Sequence, residues 1–273
     1  MKIALCLHGY FKNAGGVEAS IRGHQYITSK LAKYNVDTFI HSWDLENEDL
    51  VRSLYKPESA MFERQIQFED ELQIINQTDF FGSKGEAPGM YRINNVFKGL
   101  SFLYSRKAAM EIKKQYEKSN NFKYDCVILA RFDLGQRGKE HPQKYYATNF
   151  NFNPSLDMNF VYSAFWNQLN HGLADHWFFS NSENMDKVSS LYDKVTEYYQ
   201  LGSEYVSKVT TGWPDSNSYD EFSNEFFNSN KSENLKTWPL WACIDNHKLY
   251  KWYFIDSELY DKCKFIDITR DLL

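Results

Sequence analysis

YDCVILARFDLG, residues 124–135, has the pattern of a buried strand that ends in an arginine and an aspartate. The apolar run between Asp125 and Arg131 is short and bounded by polar residues, which is typical of a strand. In open α/β sheets, ligands bind at the carboxyl ends of the strands. Arg131 and Asp133 are therefore the first candidates for a functional site.

An alternation of strands and helices along the chain predicts an α/β fold. KIALCLHG (Lys2–Gly9) is a predicted strand, a glycine-containing loop and a helix follow it, and VDTFIHSW (Val36–Trp43) is a second strand. A right-handed strand–helix–strand crossover brings both strand ends to the same edge of the sheet. We therefore expect His8, Gly9 and Asp44 to share a crevice.

Further elements are predicted on either side of the opening strand. A helix is expected over residues 93–119, and Asn181 or Ser182 is expected to cap another. Strands are expected in MNFVYSAF (158–165), HWFFS (176–180) and KFIDIT (264–269), and another short strand after Pro57 in the acidic segment 46–86. Helices are expected around residues 219–228. We expect one domain with a C-terminal extension from residue 201.

The composition disfavours several classes of partner. With 31 basic and 36 acidic residues, the formal net charge of −5 gives no general attraction for nucleic acid or an anionic membrane. No stretch approaches the roughly 18 consecutive apolar residues of a membrane span, and the N-terminal apolar run is too short for a secretory signal. The four cysteines lack metal-type spacing. We expect a cytoplasmic protein with reduced cysteines, no nucleic-acid partner and no transmembrane segment.

Aromatic residues make up 17% of the chain. Packing accounts for most aromatic residues in proteins, but tyrosine and tryptophan also suit sites that hold sugar faces or nucleobases. The segment from Trp213 to Trp252 is the candidate platform for an acceptor.

The charged residues after the opening strand suit phosphate chemistry. The Asp133 carboxylate can bind Mg²⁺ or Mn²⁺, whose remaining ligands would be phosphate oxygens and water. Arg131 offers a planar fork of donors for phosphate oxygens. The alternative is that Arg131 and Asp133 pair with each other or with surface groups.

A second acidic candidate is Asp175, which precedes the strand HWFFS. It can act as general base on an acceptor hydroxyl or as a second metal ligand, and the alternative is a helix or turn cap. His171 and His176 flank it without metal-type spacing. Lys12 can reach a phosphate, or it can be a solvated surface lysine.

Several familiar signatures do not occur in the sequence. There is no P-loop, no G-x-G-x-x-G and no G-x-S-x-G. Hydride transfer, ATP hydrolysis and serine hydrolysis are disfavoured accordingly.

Five segments carry a family resemblance in their order and spacing. They are KIALCLHGYFK, VDTFIHSWD, FLYSRKAAMEIKKQYE, NFKYDCVILARFDL and ADHWFFSNSENMDKVSSLY, within residues 1–195. Together they resemble a family of glycosyltransferases found in bacterial surface-polysaccharide loci, such as those for capsules, and in some large viruses. FIHSWD and RFDL are the more specific pair.

The resemblance implies a GT-A-like fold, a Rossmann-like and mostly parallel central sheet flanked by helices. Residues 1–200 would bind the nucleotide-diphospho-sugar donor, and residues 201–273 would pack on the same domain at the acceptor side. The implied donor-binding residues are His8, Gly9, Tyr10, Lys12, Asp44, Tyr104, Arg106 and Arg131. Asp133 would stand at the last Asp of the D-x-D motif, which binds Mn²⁺ or Mg²⁺, and Asp175 at the acceptor-side carboxylate.

The chain departs from the family pattern at two positions. Arg131 replaces the first Asp of D-x-D, so metal binding can be weakened, or the arginine can take part of the metal's task of neutralising the leaving diphosphate. Lys12 stands where relatives often have arginine, which keeps the charge but loses bidentate geometry.

The predicted function is transfer of a sugar from a nucleotide-diphosphate donor to a hydroxyl of a polysaccharide or glycan acceptor. Asp175 and Arg131 are the predicted catalytic residues. Two alternatives stay open: a transferase of a phosphoryl-type group onto a sugar, and a protein that binds nucleotide or glycan without turnover.

Overall fold

The computed structural model describes residues 1–12, 16–76, 79–80, 95–135, 150–165, 172–212 and 238–268. Helices pack on both faces of one sheet. The strands are β1 (Lys2–Gly9), β2 (Asn35–Ser42), β3 (Ser59–Phe62), β4 (Cys126–Arg131), β5 (Val161–Phe165), β6 (Trp177–Ser180) and β7 (Cys263–Ile268). The α-helices are α1 (Gly16–Leu31), α2 (Glu48–Tyr55), α3 (Glu69–Ile74), α4 (Val96–Asn120), α5 (Ser182–Ser189), α6 (Val195–Tyr198), α7 (Glu204–Thr211) and α8 (Asn246–Asp256). Short 3₁₀ turns cover Leu45–Asn47, Ser190–Lys194, Leu240–Cys243 and Tyr260–Lys262.

The sheet is mixed but mostly parallel, with the order β3-β2-β1-β4-β6-β5-β7. Strands β1 to β4 are mutually parallel, β6 runs antiparallel to both of its neighbours, and β7 is parallel to β5. The expectation of an α/β fold with a mostly parallel sheet flanked by helices is confirmed. The reversal of β6 was not predicted, and it places the start of β6 at the edge where β1 and β4 end.

Strand β1 lies at the centre of the sheet and is buried on both faces. Ala4 and Cys6 face a core that includes Leu100 of α4, whereas Ile3 and Leu5 face the opposite core, on the side of α1. Burial on both faces explains why β1 is a continuous apolar run instead of an alternating one.

Local signals fix the ends of two helices. Asn95 caps α4 by accepting a hydrogen bond from the Lys98 backbone N–H, and Asn121 ends it in the left-handed conformation at φ 53°. Asn181 caps α5 in the same way, accepting from the Asn184 N–H. Of the two predicted caps, Asn181 is the one used.

The C-terminal residues belong to the same sheet and core. Strand β7 pairs with β5, and α7 and α8 contribute Val209 and Phe254 to the core on the α4 side. The helices predicted around residues 219–228 lie outside the described residues. Within the part of the chain that the structure describes, no helix is long and apolar enough to cross a membrane.

A buried charge network joins α4 to α5. The Lys113 ammonium is fully buried and lies 3.1 Å from Glu117 Oε2, 2.7 Å from Asp186 Oδ1 and 2.8 Å from Ser182 Oγ. Glu117 also accepts a 2.9 Å hydrogen bond from the Tyr124 N–H, just before β4. The network therefore ties two helices to the start of the central strand.

We predict that Lys113→Met lowers the free energy of unfolding by about 3 kcal/mol, because it removes the only fully buried cation among the described partners of the Glu117 and Asp186 carboxylates. Urea denaturation measures the change. Lys123→Met is the matched control: Lys123 also contacts Glu117, at 2.9 Å, but is 62% exposed, so its loss should cost less than about 1 kcal/mol. Equal losses in the two variants would contradict the account.

Candidate functional site

The topology selects one edge of the sheet for ligand binding. The chain leaves β1 through α1 toward β2 on one side, and it arrives at β4 on the other side of β1 after α4. The point at which successive connections diverge opens a crevice outside the carboxyl ends of the two strands. Here that crevice lies beyond Gly9 of β1 and Arg131 of β4.

Gly9 presents bare backbone to this crevice. Its φ is +97°, and a Cβ built on it would meet no atom within 4 Å among the described residues. The Gly9 N–H donates to Ser105 Oγ and its carbonyl accepts from Ser42 Oγ, both at 2.8 Å. The glycine is thus rigidly held with open space before it.

A chain of hydrogen bonds through Ser105, His41 and Glu63 supports Gly9. Ser105 Oγ lies 2.7 Å from His41 Nδ1, and His41 Nε2 lies 2.9 Å from Glu63 Oε1. Because the Gly9 N–H donates to Ser105, the serine hydroxyl is free to donate to a neutral His41. Burial lowers the pKa of His41, although Glu63 opposes part of that shift. His41, Ser105 and Glu63 were not predicted. His41 and Ser105 lie inside the motifs FIHSWD and FLYSRK, and Glu63 directly follows β3.

Asp44 anchors the loop that follows β1. Its carboxylate accepts a 2.7 Å hydrogen bond from the Lys12 backbone N–H and contacts Asn47 Nδ2 at 2.9 Å through both oxygens. The structure therefore brings Asp44 beside the predicted donor loop, but its carboxylate is engaged with protein groups. Through its hydrogen bond with the Lys12 N–H, Asp44 therefore supports the loop.

Arg131 and Asp133 form a bidentate ion pair at the end of β4. Arg131 Nε lies 2.9 Å from Asp133 Oδ1, and Arg131 Nη2 lies 2.7 Å from Asp133 Oδ2. The Arg131 side chain is 28% exposed and that of Asp133 only 7%. Burial lowers the pKa of Arg131, but the carboxylates of Asp133 and Asp175 raise it by more, so the guanidinium stays charged.

Close packing holds the turn that carries this pair. Gly23 of α1 lies so near the turn that a Cβ there would be 2.1 Å from the Phe132 carbonyl oxygen. On the other side, the Arg131 N–H donates to the His176 carbonyl at 3.3 Å. The pair is therefore fixed between α1 and the start of β6.

Arg106 lies behind the site and not in it. It is fully buried, with its guanidinium carbon 4.8 to 5.2 Å from the ring centres of Phe102, Phe178 and Tyr250. Its Nη1 donates to the Asp175 carbonyl oxygen at 2.7 Å, and its Nε and Nη2 have no hydrogen-bond partner among the described residues. The prediction that Arg106 faces the donor therefore does not match its position, from which it fixes the main chain of Asp175.

The side chain of Asp175 lies beside the start of α8. Asp175 Oδ1 lies 3.5 Å from His247 Nδ1, which is also 2.8 Å from the Leu173 carbonyl oxygen. Gly172, at φ +99°, packs so closely on this helix that a Cβ would lie 2.1 Å from the His247 carbonyl. His247 was not predicted, because it belongs to a tail whose pattern is mixed.

The other predicted donor residues differ in exposure. Tyr10 is 47% exposed, and Lys12 is also exposed. Tyr104 stacks on Trp43 with ring centres 5.3 Å apart, and burial and Glu63 raise the pKa of its hydroxyl. His8 is buried edge-on against Phe102. His171 and residues 213–237 of the predicted acceptor platform lie outside the described residues.

The side chains that could coordinate a metal ion here do not fit the expected Mn²⁺ or Mg²⁺ site. Both oxygens of Asp133 are engaged by Arg131. Among the described residues there is no group of three or more histidine, cysteine, aspartate or glutamate side chains that could hold a metal ion.

Sequence comparisons add no relative. No model of a known protein family matches the chain, and no curated protein matches it.

We predict that His8→Leu makes the protein less sensitive to acid. Burial, and then the charges of Arg106 and Arg131, lower the pKa of His8 well below its ordinary value of 6.5. As the pH falls below 6.5, the unfolded chain takes up a proton that the folded chain refuses, so stability is lost by up to about 1.4 kcal/mol per pH unit.

Urea denaturation at pH 8 and pH 5 measures the effect. The wild type should lose about 1 to 2 kcal/mol more than His8→Leu between the two values. The measurement at pH 8, where the imidazole is neutral in both states, is the control for packing changes. Equal losses in the two proteins would mean that His8 titrates normally.

Proposed function

We propose that this protein is a glycosyltransferase that moves a sugar from a nucleotide-diphosphate donor to a hydroxyl of a polysaccharide or glycan. One observation carries the proposal: the open backbone at Gly9, the Arg131–Asp133 pair and Asp175 converge on the carboxyl edge of the sheet at its switch point. Ligands of open α/β sheets bind at this place.

The end of β1 supports binding of the nucleotide part. A glycine lets a phosphate or ribose approach the main chain closely. The exposed Tyr10 and Lys12 follow it, and the half-buried Tyr104 of α4 stacks on the buried Trp43 nearby. Aromatic faces and a nearby cation suit a base and a phosphate respectively.

Arg131 supports binding of the diphosphate. Asp133 engages Nε and Nη2 of its guanidinium, and within the described part of the chain no residue accepts from Nη1, which can donate to a phosphate oxygen. A cation already fixed in place stabilises negative charge that develops on the leaving group without reorganising in the transition state.

Asp175 supports a role on the acceptor. Its main chain is fixed by Arg106 and its carboxylate lies beside His247. A carboxylate on a fixed main chain can orient an acceptor hydroxyl and take its proton. The GT-A-like assignment and the acceptor role of the C-terminal residues belong to the same proposal.

We also propose that the protein acts in the cytoplasm. All four cysteines are buried free thiols. Unpaired cysteines are the usual state in a reducing compartment.

The engaged carboxylate of Asp133 also favours a second candidate, a protein that binds a nucleotide sugar without turning it over. The two candidates differ in one measurable property. Only a transferase releases nucleoside diphosphate from a nucleotide sugar in a reaction that depends on Asp175.

We predict that Asp175→Asn lowers turnover at least 100-fold and leaves nucleotide binding within a few-fold of the wild type, because proton transfer is lost while the shape is kept. The assay measures nucleoside diphosphate released from UDP-, GDP-, CDP- and TDP-sugars, and thermal shifts report binding.

Asp261→Asn is the matched control, because Asp261 is exposed and precedes β7, at the opposite edge of the sheet. It should be indistinguishable from the wild type. Full activity of Asp175→Asn would remove Asp175 from the mechanism. Donor binding without any turnover would favour the second candidate.

A further inference from the structure

We propose that Arg131 replaces the divalent cation at this site, so that the donor diphosphate binds to, and leaves from, a protein guanidinium without Mg²⁺ or Mn²⁺. The inference rests on the proposed function and specifies how its donor is held. It is carried by the geometry of the Arg131–Asp133 pair.

The two partners of the pair are unequally exposed. Arg131 is 28% exposed and Asp133 is 7% exposed, so the guanidinium offers a larger accessible surface to a ligand than the carboxylate does. A metal-binding aspartate requires the opposite order, with its oxygens directed at the ion. Here the carboxylate serves to orient the guanidinium.

Both carboxylate oxygens of Asp133 already accept hydrogen bonds from Arg131. Contacts of 2.9 and 2.7 Å engage one oxygen each. A metal ion on the same carboxylate would lie beside a guanidinium charge, and repulsion between like charges in a partly buried site is unfavourable. Losing the Arg131 contacts to relieve it would leave a partly buried guanidinium without its carboxylate partner.

The Arg131–Asp133 pair is also held in position before a ligand binds. The Phe132 carbonyl packs against Gly23, and the Arg131 N–H is bonded to His176 of the segment before β6. Both contacts involve main chain, so the guanidinium projects from a fixed point. A bound metal ion would otherwise supply fixed charge of this kind.

The proposed transfer balances without a metal. The bond between the anomeric carbon and the diphosphate oxygen breaks, and its electron pair stays on that oxygen beside Arg131. A bond forms between the anomeric carbon and the acceptor oxygen, whose proton passes to Asp175 and then to water. The products are the glycoside, the nucleoside diphosphate and a proton.

Calorimetric titration with UDP, GDP, CDP and TDP tests the inference directly. We expect one nucleoside diphosphate to bind wild-type protein in EDTA with an affinity within about two-fold of that in Mn²⁺, and Mn²⁺ alone to show no binding. Binding that requires Mn²⁺ would overturn the inference and leave the proposed function standing. Failure of all four nucleotides under both conditions would overturn both.

Variants of Arg131 test whether this residue is responsible for nucleotide binding without a metal ion. In EDTA, Arg131→Ala should weaken nucleotide binding at least 10-fold, which is the loss of one charge-assisted contact. Arg131→Asp gives Phe132 an acidic residue on each side, as in D-x-D, and should bind nucleotide only when Mn²⁺ is present. Nucleotide binding unchanged in Arg131→Ala would overturn the role of Arg131.

Two controls separate this role from folding. Arg52→Ala removes a surface arginine that is likewise paired with an acidic residue, Glu48, and should bind nucleotide as the wild type does. Arg131→Lys keeps the charge without the fork and should lie between wild type and Arg131→Ala. If the alanine variant does not fold, the comparison of EDTA and Mn²⁺ in wild-type protein still decides the question.

Discussion

The structure depends on the pairing of β1 with a parallel strand on each side. β1 pairs with β2 and β4 along its length and is buried on both faces. That pairing places His8 beside both His41 and Arg131. Since the three strands end together, the loops that follow them open onto one crevice, and the reversed β6 adds the loop before it. Gly9, Arg131, Asp133 and Asp175 lie at the ends of these strands or in the loops beside them.

Charge at this edge is balanced by protein groups. Arg131 is paired with Asp133, the guanidinium of Arg106 is buried beneath the Asp175 main chain, and burial keeps His8 neutral. The Arg131 guanidinium lies at the end of β4, where the crevice begins. An anionic ligand at this edge belongs to the proposed function.

Much of the fold was predictable because burial leaves a pattern in the sequence. β1 and β4 are apolar runs closed by polar residues, and Asn181 is a capping residue before a helix. The direction of β6 was not predictable, since a four-residue strand has the same pattern in either direction and its direction depends on its neighbours.

The site was predictable where it follows strand ends and not where it depends on distant segments. Arg131 ends β4, Asp133 follows it and Asp175 precedes β6. Glu63 directly follows β3, but its role depends on contact with His41 of another strand, and His247 depends on contact with the distant Leu173. Arg106 had a usable signal. It is on the buried stripe of α4 with Leu103, Met110 and Lys113, at spacings of three and four residues, so that its burial could have been inferred from the helix period.

The most direct test of the central claim is hydrogen–deuterium exchange with and without the nucleoside diphosphate that stabilises the protein most. The account predicts slower exchange in peptides covering Gly9 to Lys12 and Arg131 to Leu134, with no change in β7. Protection confined to other parts of the chain, with these two segments unchanged, would contradict a donor site at the ends of β1 and β4.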